Sequence, residues 1–173
     1  MKIASLCTRR VVTVDAEAGL AQAAALMREH HVGALVVTRQ TAQGLAVSGL
    51  VTDRDLVLDV LARGLDPAGS RIGALASATV ASVSEDDDAS AAIAAMQAAG
   101  VRRLLVTDAD GRLAGIVSID DLLRGFANQF AGLAGVLRAG IDREVSETLP
   151  TPPLPTDLLR IPAVGTAGWG PRG

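Results

Sequence analysis

Apolar runs with a strand-like period and stretches with a one-sided helical period alternate along the first 140 or so residues, in an order that occurs twice. Val11-Val12-Thr13-Val14 is a short β-type run, and Leu20, Ala23, Ala24 and Met27 then recur as one apolar face of a helix. Two further apolar runs, Ala34 to Thr38 and Ala46 to Thr52, flank the polar stretch Arg39 to Gly44, and the second leads into a helical pattern from Asp53 to about Arg63. Downstream the order returns: Val80 to Val83, a helix carrying Ala89, Ala92, Ile93 and Met96, runs at Leu104 to Thr107 and Leu113 to Ser118, and a helix from Ile119 to about Ala139. The turn Asp108-Ala109-Asp110-Gly111 is a hairpin signal. Asp15 and Ser84 are placed to cap the first helix of each unit, and Glu85 to Asp88 would occupy a first turn, where the helix dipole favours negative charge.

The two passages are copies of one unit. A shift of 69 positions, the distance from Ile3 to Ile72, superposes Leu6 on Leu75, Val14 on Val83, Ala23 on Ala92, Met27 on Met96, Leu35 on Leu104 and Val37 on Val106. After a length change within Arg39 to Gly44, Gly49 meets Gly115, Val51 meets Val117 and Asp55 meets Asp121. The expected fold is therefore mixed α/β of the α+β kind: two pseudo-symmetric β-α-β-β-α units, residues 1–68 and 69–126, burying a shared interior that neither could cover alone. A helical extension, 127–145, follows the second unit. Leu122, Phe126, Phe130, Leu133, Val136, Leu137 and Ile141 recur there at helix spacing, as a packing stripe open to intrachain use or to a dimer contact. The remainder, 146–173, holds six of the seven prolines and reads as an extended tail, with Leu158, Leu159, Ile161 and Trp169 as its apolar points.

Composition narrows the function. The only aromatic residues are Phe126, Phe130 and Trp169, so any pocket is walled by small aliphatic side chains. A net charge of −3 provides no basic stripe for a nucleic-acid backbone, and there are no aromatics on which bases could stack. Cys7 is the only cysteine, which excludes an intrachain disulfide and fits a reducing cytoplasm. No apolar run reaches the roughly 20 residues of a membrane span.

Candidate chemistry lies where each hairpin ends. Gly49-Leu50-Val51-Thr52-Asp53-Arg54-Asp55 and Gly115-Ile116-Val117-Ser118-Ile119-Asp120-Asp121 each place a hydroxyl after a strand and a carboxylate three residues later. A helix start of this kind can receive a phosphate, and its carboxylate can accept the two hydroxyls of a ribose. The same spacing is an ordinary capping box, and both readings stand. An apolar strand opens each unit, at Val11 to Val14 and Val80 to Val83, able to cover a purine face. His31-Val32-Gly33-Ala34 and Gly100-Val101-Arg102-Arg103 open the second runs.

These segments, above all GLVTDRDL, HVGALVV and VRRLLVTDADGRLAGIVSIDDLL, resemble a tandem pair of cystathionine-β-synthase (CBS) domains, the regulatory Bateman module, over residues 1 to about 125. The resemblance implies two CBS units packed through their sheets, a homodimer formed through helices, and regulatory binding of AMP, ADP, ATP or S-adenosylmethionine in clefts between the units, with no obligatory cofactor. It puts the ribose carboxylates at Asp55 and Asp121 and the neighbouring hydroxyls at Thr52 and Ser118. Phosphate-facing basic residues fall at Arg54, Arg102 and Arg103, with Asp120 replacing the basic residue in the second unit. The base-facing strand positions fall at Thr13 and Val14, and at Ser82 and Val83. His31, Val32, Gly33, Ala34 and Val101 complete the expected ligand-binding set.

No nucleophile-base set or metal cluster stands out: His30 and His31 end a helix without a cysteine partner, and Cys7 aligns with Ala76. The expectation is a cytoplasmic, non-enzymatic sensor of adenosine nucleotides that signals through conformation or assembly, to itself or to a protein target. The alternative is a ligand-free interaction module whose Thr/Ser-x-x-Asp motifs are helix caps alone.

Overall fold

The computed structural model describes residues 1–76 and 80–147. The chain divides into two compact units, Met1–Gln129 and Phe130–Gly173. The tail positions Leu158, Leu159, Ile161 and Trp169 lie outside the described residues.

Within Met1–Gln129 the order is a single 3-10 turn at Ile3–Ser5, β1 (Thr13–Asp15), α1 (Leu20–His30), β2 (Ala34–Thr41), β3 (Gly44–Thr52) and α2 (Asp53–Asp55), which continues as a π-helix over Leu56–Leu61. The second copy follows as α3 (Ile72–Leu75), β4 (Ser82–Ser84), α4 (Ala89–Ala99), β5 (Arg103–Thr107), β6 (Leu113–Ser118) and α5 (Ile119–Glu147). Each copy builds a three-stranded sheet, β1-β2-β3 and β4-β5-β6, whose first pair is parallel and second antiparallel. Register shifts at Val37/Thr38 and at Val106/Thr107 put a bulge at the same place in both hairpins, so the repeat extends to a local irregularity.

Alternation along the strands creates two cores. Val14, Leu35, Val37 and Val51 point to the side covered by Leu20, Ala23 and Met27 of α1, and Val83, Leu104, Val106 and Val117 meet Ala92 and Met96 of α4 in the same way. Val36 and Leu105 face the opposite side and are also buried. Leu50 on β3 and Leu105 on β5 line one cavity, so the two sheets face each other across it.

The leading segment of each copy is exchanged. Ile3 is fully buried in the second copy's core, and the backbone N–H groups of Ile3 and Ala4 donate to the carbonyls of Asp87 and Glu85. Ile72 is fully buried in the first copy's core, with Ile72 and Gly73 donating to Ala18 and Ala16. Gly125 lets the N-terminal segment lie against α5, where a Cβ would fall 2.5 Å from Leu6 Cδ2. Arg9 Nη2 donates to Glu85 Oε2 at 2.8 Å, and that hydrogen bond holds the Arg9 pKa above its ordinary value.

Several local expectations are corrected. Asp15 and Ser84 do not cap α1 and α4: the N–H groups of Ala16 and Glu85 are taken by Thr38 O and Thr107 O, the chain stays extended, and the helices start after Gly19 and Asp88. Asp15 instead holds a turn through Glu17 N, and Asp87 accepts from Ser84 N, so the acidic cluster belongs to a turn and not to a helical first turn. The polar stretch Arg39 to Gly44 is mostly strand, closed tightly at Thr41–Gly44 by Thr41 Oγ1 donating to Gly44 O, with Gly44 at φ +112°. The helix after Asp53 is largely of π type, and α5 runs on to Glu147. Along the stripe on α5, Leu122 is buried and Phe126 packs against the second core. Considered by itself, the Phe130–Glu147 part of α5 exposes Phe130, Leu133, Val136, Leu137 and Ile141, each by 58–71%.

Candidate functional site

The hydroxyl–carboxylate motifs form two equivalent corners. Thr52 Oγ1 accepts Asp55 N–H at 3.3 Å and donates to Asp55 Oδ2 at 2.8 Å, and Oδ2 also accepts Thr52 N–H at 2.8 Å. Ser118 repeats this with Asp121, at 3.2, 2.6 and 2.9 Å. Both are complete capping boxes, so the structural half of the sequence reading holds at each. Their second oxygens differ. Asp55 Oδ1 accepts no hydrogen bond among the described residues, whereas Asp121 Oδ1 stands 3.6 Å from Arg124 Nη1.

Each corner opens on a cleft whose far wall comes from the other copy. The first cleft, about 590 Å³, joins Thr52, Arg54 and Asp55 to Val101, Arg102 and Arg103. Leu50, Val80, Ala81, Gly100 and Leu105 complete a lining of small aliphatic and backbone surface. The second cleft, about 310 Å³, joins Ser118 and Asp121 to His31, Val32, Gly33 and Ala34. Val11, Val12, Ile116, Thr8 and Arg10 complete it, and Arg103 reaches it as well. The walls are held from behind by equivalent backbone bonds, Asp53 N–H to Gly33 O and Ile119 N–H to Arg102 O.

Five expected site residues lie elsewhere. Val14 and Val83 point into the cores, because β1 and β4 pair with Val37 and Val106 on the core side of each sheet. Thr13 and Ser82 are exposed and line neither cleft, and Asp120 points outward beside Asp121. The cleft-facing positions of the opening strands come two residues earlier, at Val11 and Val12 and at Val80 and Ala81. Arg10 and Thr8 escaped the sequence reading because they lie in the connection between the docked N-terminal turn and β1, where no periodic pattern marks them.

The charge of the clefts follows from the same geometry. Arg54, Arg102 and Arg103 all line the first cleft, and none is within 4.0 Å of a carboxylate among the described residues. His31 ends α1 in the left-handed region at φ 52°, where the second copy has Gly100 at φ 64°. Among the described residues no three His, Cys, Asp or Glu side chains stand together as metal ligands, and no helix is long and apolar enough to cross a membrane.

The family model for the CBS domain matches residues 3–61 and again 72–128. The chain belongs to the CBS domain family. Its two CBS domains are similar to a CBS domain-containing protein of Bacillus subtilis, 34% identical over 73% of this chain and 87% of the relative. They are also similar to an uncharacterized protein of Methanopyrus kandleri, 31% identical over 72% of this chain, an alignment that spans only 62% of that relative's length. Among solved structures, hypoxic response protein I with two coordinated zinc ions matches at a TM-score of 0.60 and 32% identity, over 72% of this chain and 98% of that one. The hexameric CBS-CP12 protein of bloom-forming cyanobacteria matches at 0.63 and 27% identity, over 71% and 69%. The CBS pair is thus of a regulatory or ligand-binding type, with two pseudo-symmetric domains as the repeat implies.

Proposed function

We propose that this CBS pair is a regulatory module that takes a phosphorylated adenosine ligand, of the AMP, ADP or ATP kind, in its first cleft. The observation that carries the reading is the convergence on the cavity that holds the Thr52–Asp55 corner of three arginines with no carboxylate within 4.0 Å among the described residues. A cavity of about 590 Å³ is within the range of small-molecule sites. Asp55 Oδ1 is free to accept ribose hydroxyls while Oδ2 keeps the helix start in place. Val80, Ala81, Val101 and Leu105 offer the flat apolar cover a purine needs, and Arg54, Arg102 and Arg103 supply charge-assisted bonds to phosphate. S-adenosylmethionine, which carries a cationic sulfonium, fits this charge less well than a nucleotide does.

A ligand held by walls from both CBS domains shifts any equilibrium between packings that space those walls differently. The readout we propose is assembly with a second copy of this chain. Phe130, Leu133, Leu137 and Ile141 make the exposed apolar face of an amphipathic helix, a surface that can pair with itself across a twofold axis. The alternative, a ligand-free interaction module, draws on the completeness of both capping boxes. Thermal unfolding of the whole chain with AMP, ADP, ATP, adenosine and S-adenosylmethionine separates the two. A phosphorylated adenosine ligand is expected to raise the midpoint most, and a panel that leaves it unmoved removes the nucleotide reading.

A further inference from the structure

We propose that Arg103 couples the two clefts, because its single guanidinium can engage an anion in either cleft but not in both at once. The inference deepens the reading above and rests on it: both clefts must accept phosphorylated ligands. Among the described residues, Arg103 is the one side chain that lines both cavities. It opens β5, and its partner across the ladder is Ser118, the hydroxyl of the second corner. Its Nη2 lies 3.7 Å from the point where Gly33 would carry a Cβ, a point that Asp53 Oδ2 approaches to 3.2 Å, so the head group already reaches the far wall of the second cleft where Gly33 has no side chain of its own. It is half-buried and joins no ion pair among the described residues, so no carboxylate fixes it to either side.

The repeat makes the coupling one-sided. In the first copy the position equivalent to Arg103 is Ala34, which lines the second cleft without charge, so no matching residue replaces the guanidinium when it turns away. The first cleft also keeps Arg54 and Arg102, whereas the second keeps only Arg10. The first cleft therefore fills first, and a phosphate there withdraws from the second cleft about one hydrogen bond to a charged group. Such a bond corresponds to about a tenfold change in affinity. Neutral adenosine does not recruit the guanidinium and fills the two clefts independently.

The test is a site-resolved nuclear magnetic resonance titration of the whole chain, with the amide of Val101 reporting the first cleft and that of Val32 the second. AMP is the probe and adenosine the control. The second cleft is expected to bind AMP about tenfold more weakly when the first is occupied than in an Asp55→Asn, Arg102→Ala chain, whose first cleft binds about a hundredfold more weakly and is kept empty by holding AMP below that level. In Arg103→Ala chains the two values are expected to agree within about twofold, as they do for adenosine with Arg103 present. Equal second-cleft affinity with the first cleft filled or empty overturns the coupling, as does antagonism that persists without Arg103. Occupancy of one cleft alone counts for the proposal if emptying the first by Asp55→Asn with Arg102→Ala opens the second, and against it if the second stays empty. If AMP moves neither reporter in any chain, the nucleotide reading itself falls and the coupling with it.

Discussion

Replacing Asp55 with Asn separates the two duties of the first corner. The carboxylate Oδ2 accepts Thr52 N–H and Thr52 Oγ1–H, both at 2.8 Å, and an Asn carbonyl oxygen in the same place can still accept them. The stability cost of Asp55→Asn is then that of a weakened cap, about 1 kcal/mol or less. For a unit of the size of Met1–Gln129 this lowers the midpoint by about 4 °C. Wild-type protein with AMP at about 100 times its dissociation constant gains about 2.7 kcal/mol. If Asp55 also holds ribose hydroxyls, losing one charge-assisted bond weakens binding about tenfold, and the gain at the same AMP concentration drops to about 1.4 kcal/mol. The decisive quantity is the difference between the AMP-induced shifts of the two proteins by differential scanning calorimetry, in which the capping cost cancels. An AMP-induced shift of full size in Asp55→Asn, beside a lowered midpoint without ligand, would show that Asp55 is a helix cap and nothing more.

Three other outcomes follow from packing and backbone geometry. Ile72→Ala and Ile3→Ala each empty a fully buried site and are expected to cost about 2–5 kcal/mol in urea unfolding; a loss under about 1 kcal/mol would contradict the exchanged leading segments. His31→Gly removes a side chain from a left-handed backbone position and is expected to stabilise the chain by about 1 kcal/mol, read as a higher melting midpoint, with an unchanged or lower midpoint as the contrary result. Leu133→Glu with Leu137→Glu places two charges on the exposed face of α5; light scattering is expected to show the parent at twice the 17.6 kDa chain mass and the double variant at the chain mass itself, with the melting midpoint of Met1–Gln129 unmoved.

The fold was legible because the two copies bury the same positions. Val14 and Val83, Ala23 and Ala92, Met27 and Met96, Leu35 and Leu104, and Val51 and Val117 are buried pair by pair, so the shift that aligned them in sequence was already an alignment of cores. What periodicity could not convey is which core a residue enters. Ile3 and Ile72 align with one another and each is apolar, yet each packs in the other copy's core, a fact that depends on where the connecting backbone finds hydrogen bonds. Helix starts were misplaced for a related reason. Asp15 and Ser84 have the right chemistry for caps, but the strand carbonyls of Thr38 and Thr107 claim the next N–H group first.

The corners were legible to the residue, since a hydroxyl and a carboxylate three apart constrain each other locally and need no distant partner. The opposite walls were legible only as segments. The opening strands, read as Val11 to Val14 and Val80 to Val83, reach the clefts only at their leading ends: Val12 and Ala81 line the clefts while packing partly against the cores, and Val14 and Val83, two residues on along the same face, are buried inside them. Where the copies agree, they specify the fold; the clefts differ through the positions at which the copies disagree, Arg102 against Gly33, Arg103 against Ala34, Arg54 against Asp120 and Gly100 against His31. Arg54 and Arg102 lie on the first cleft alone, Arg103 reaches both, and the second cleft has Arg10 of its own. A duplicated scaffold needs no arginines at its clefts to fold, so Arg54 and Arg102 on the first cleft are the feature that stability leaves unexplained and that the proposed anion binding would use.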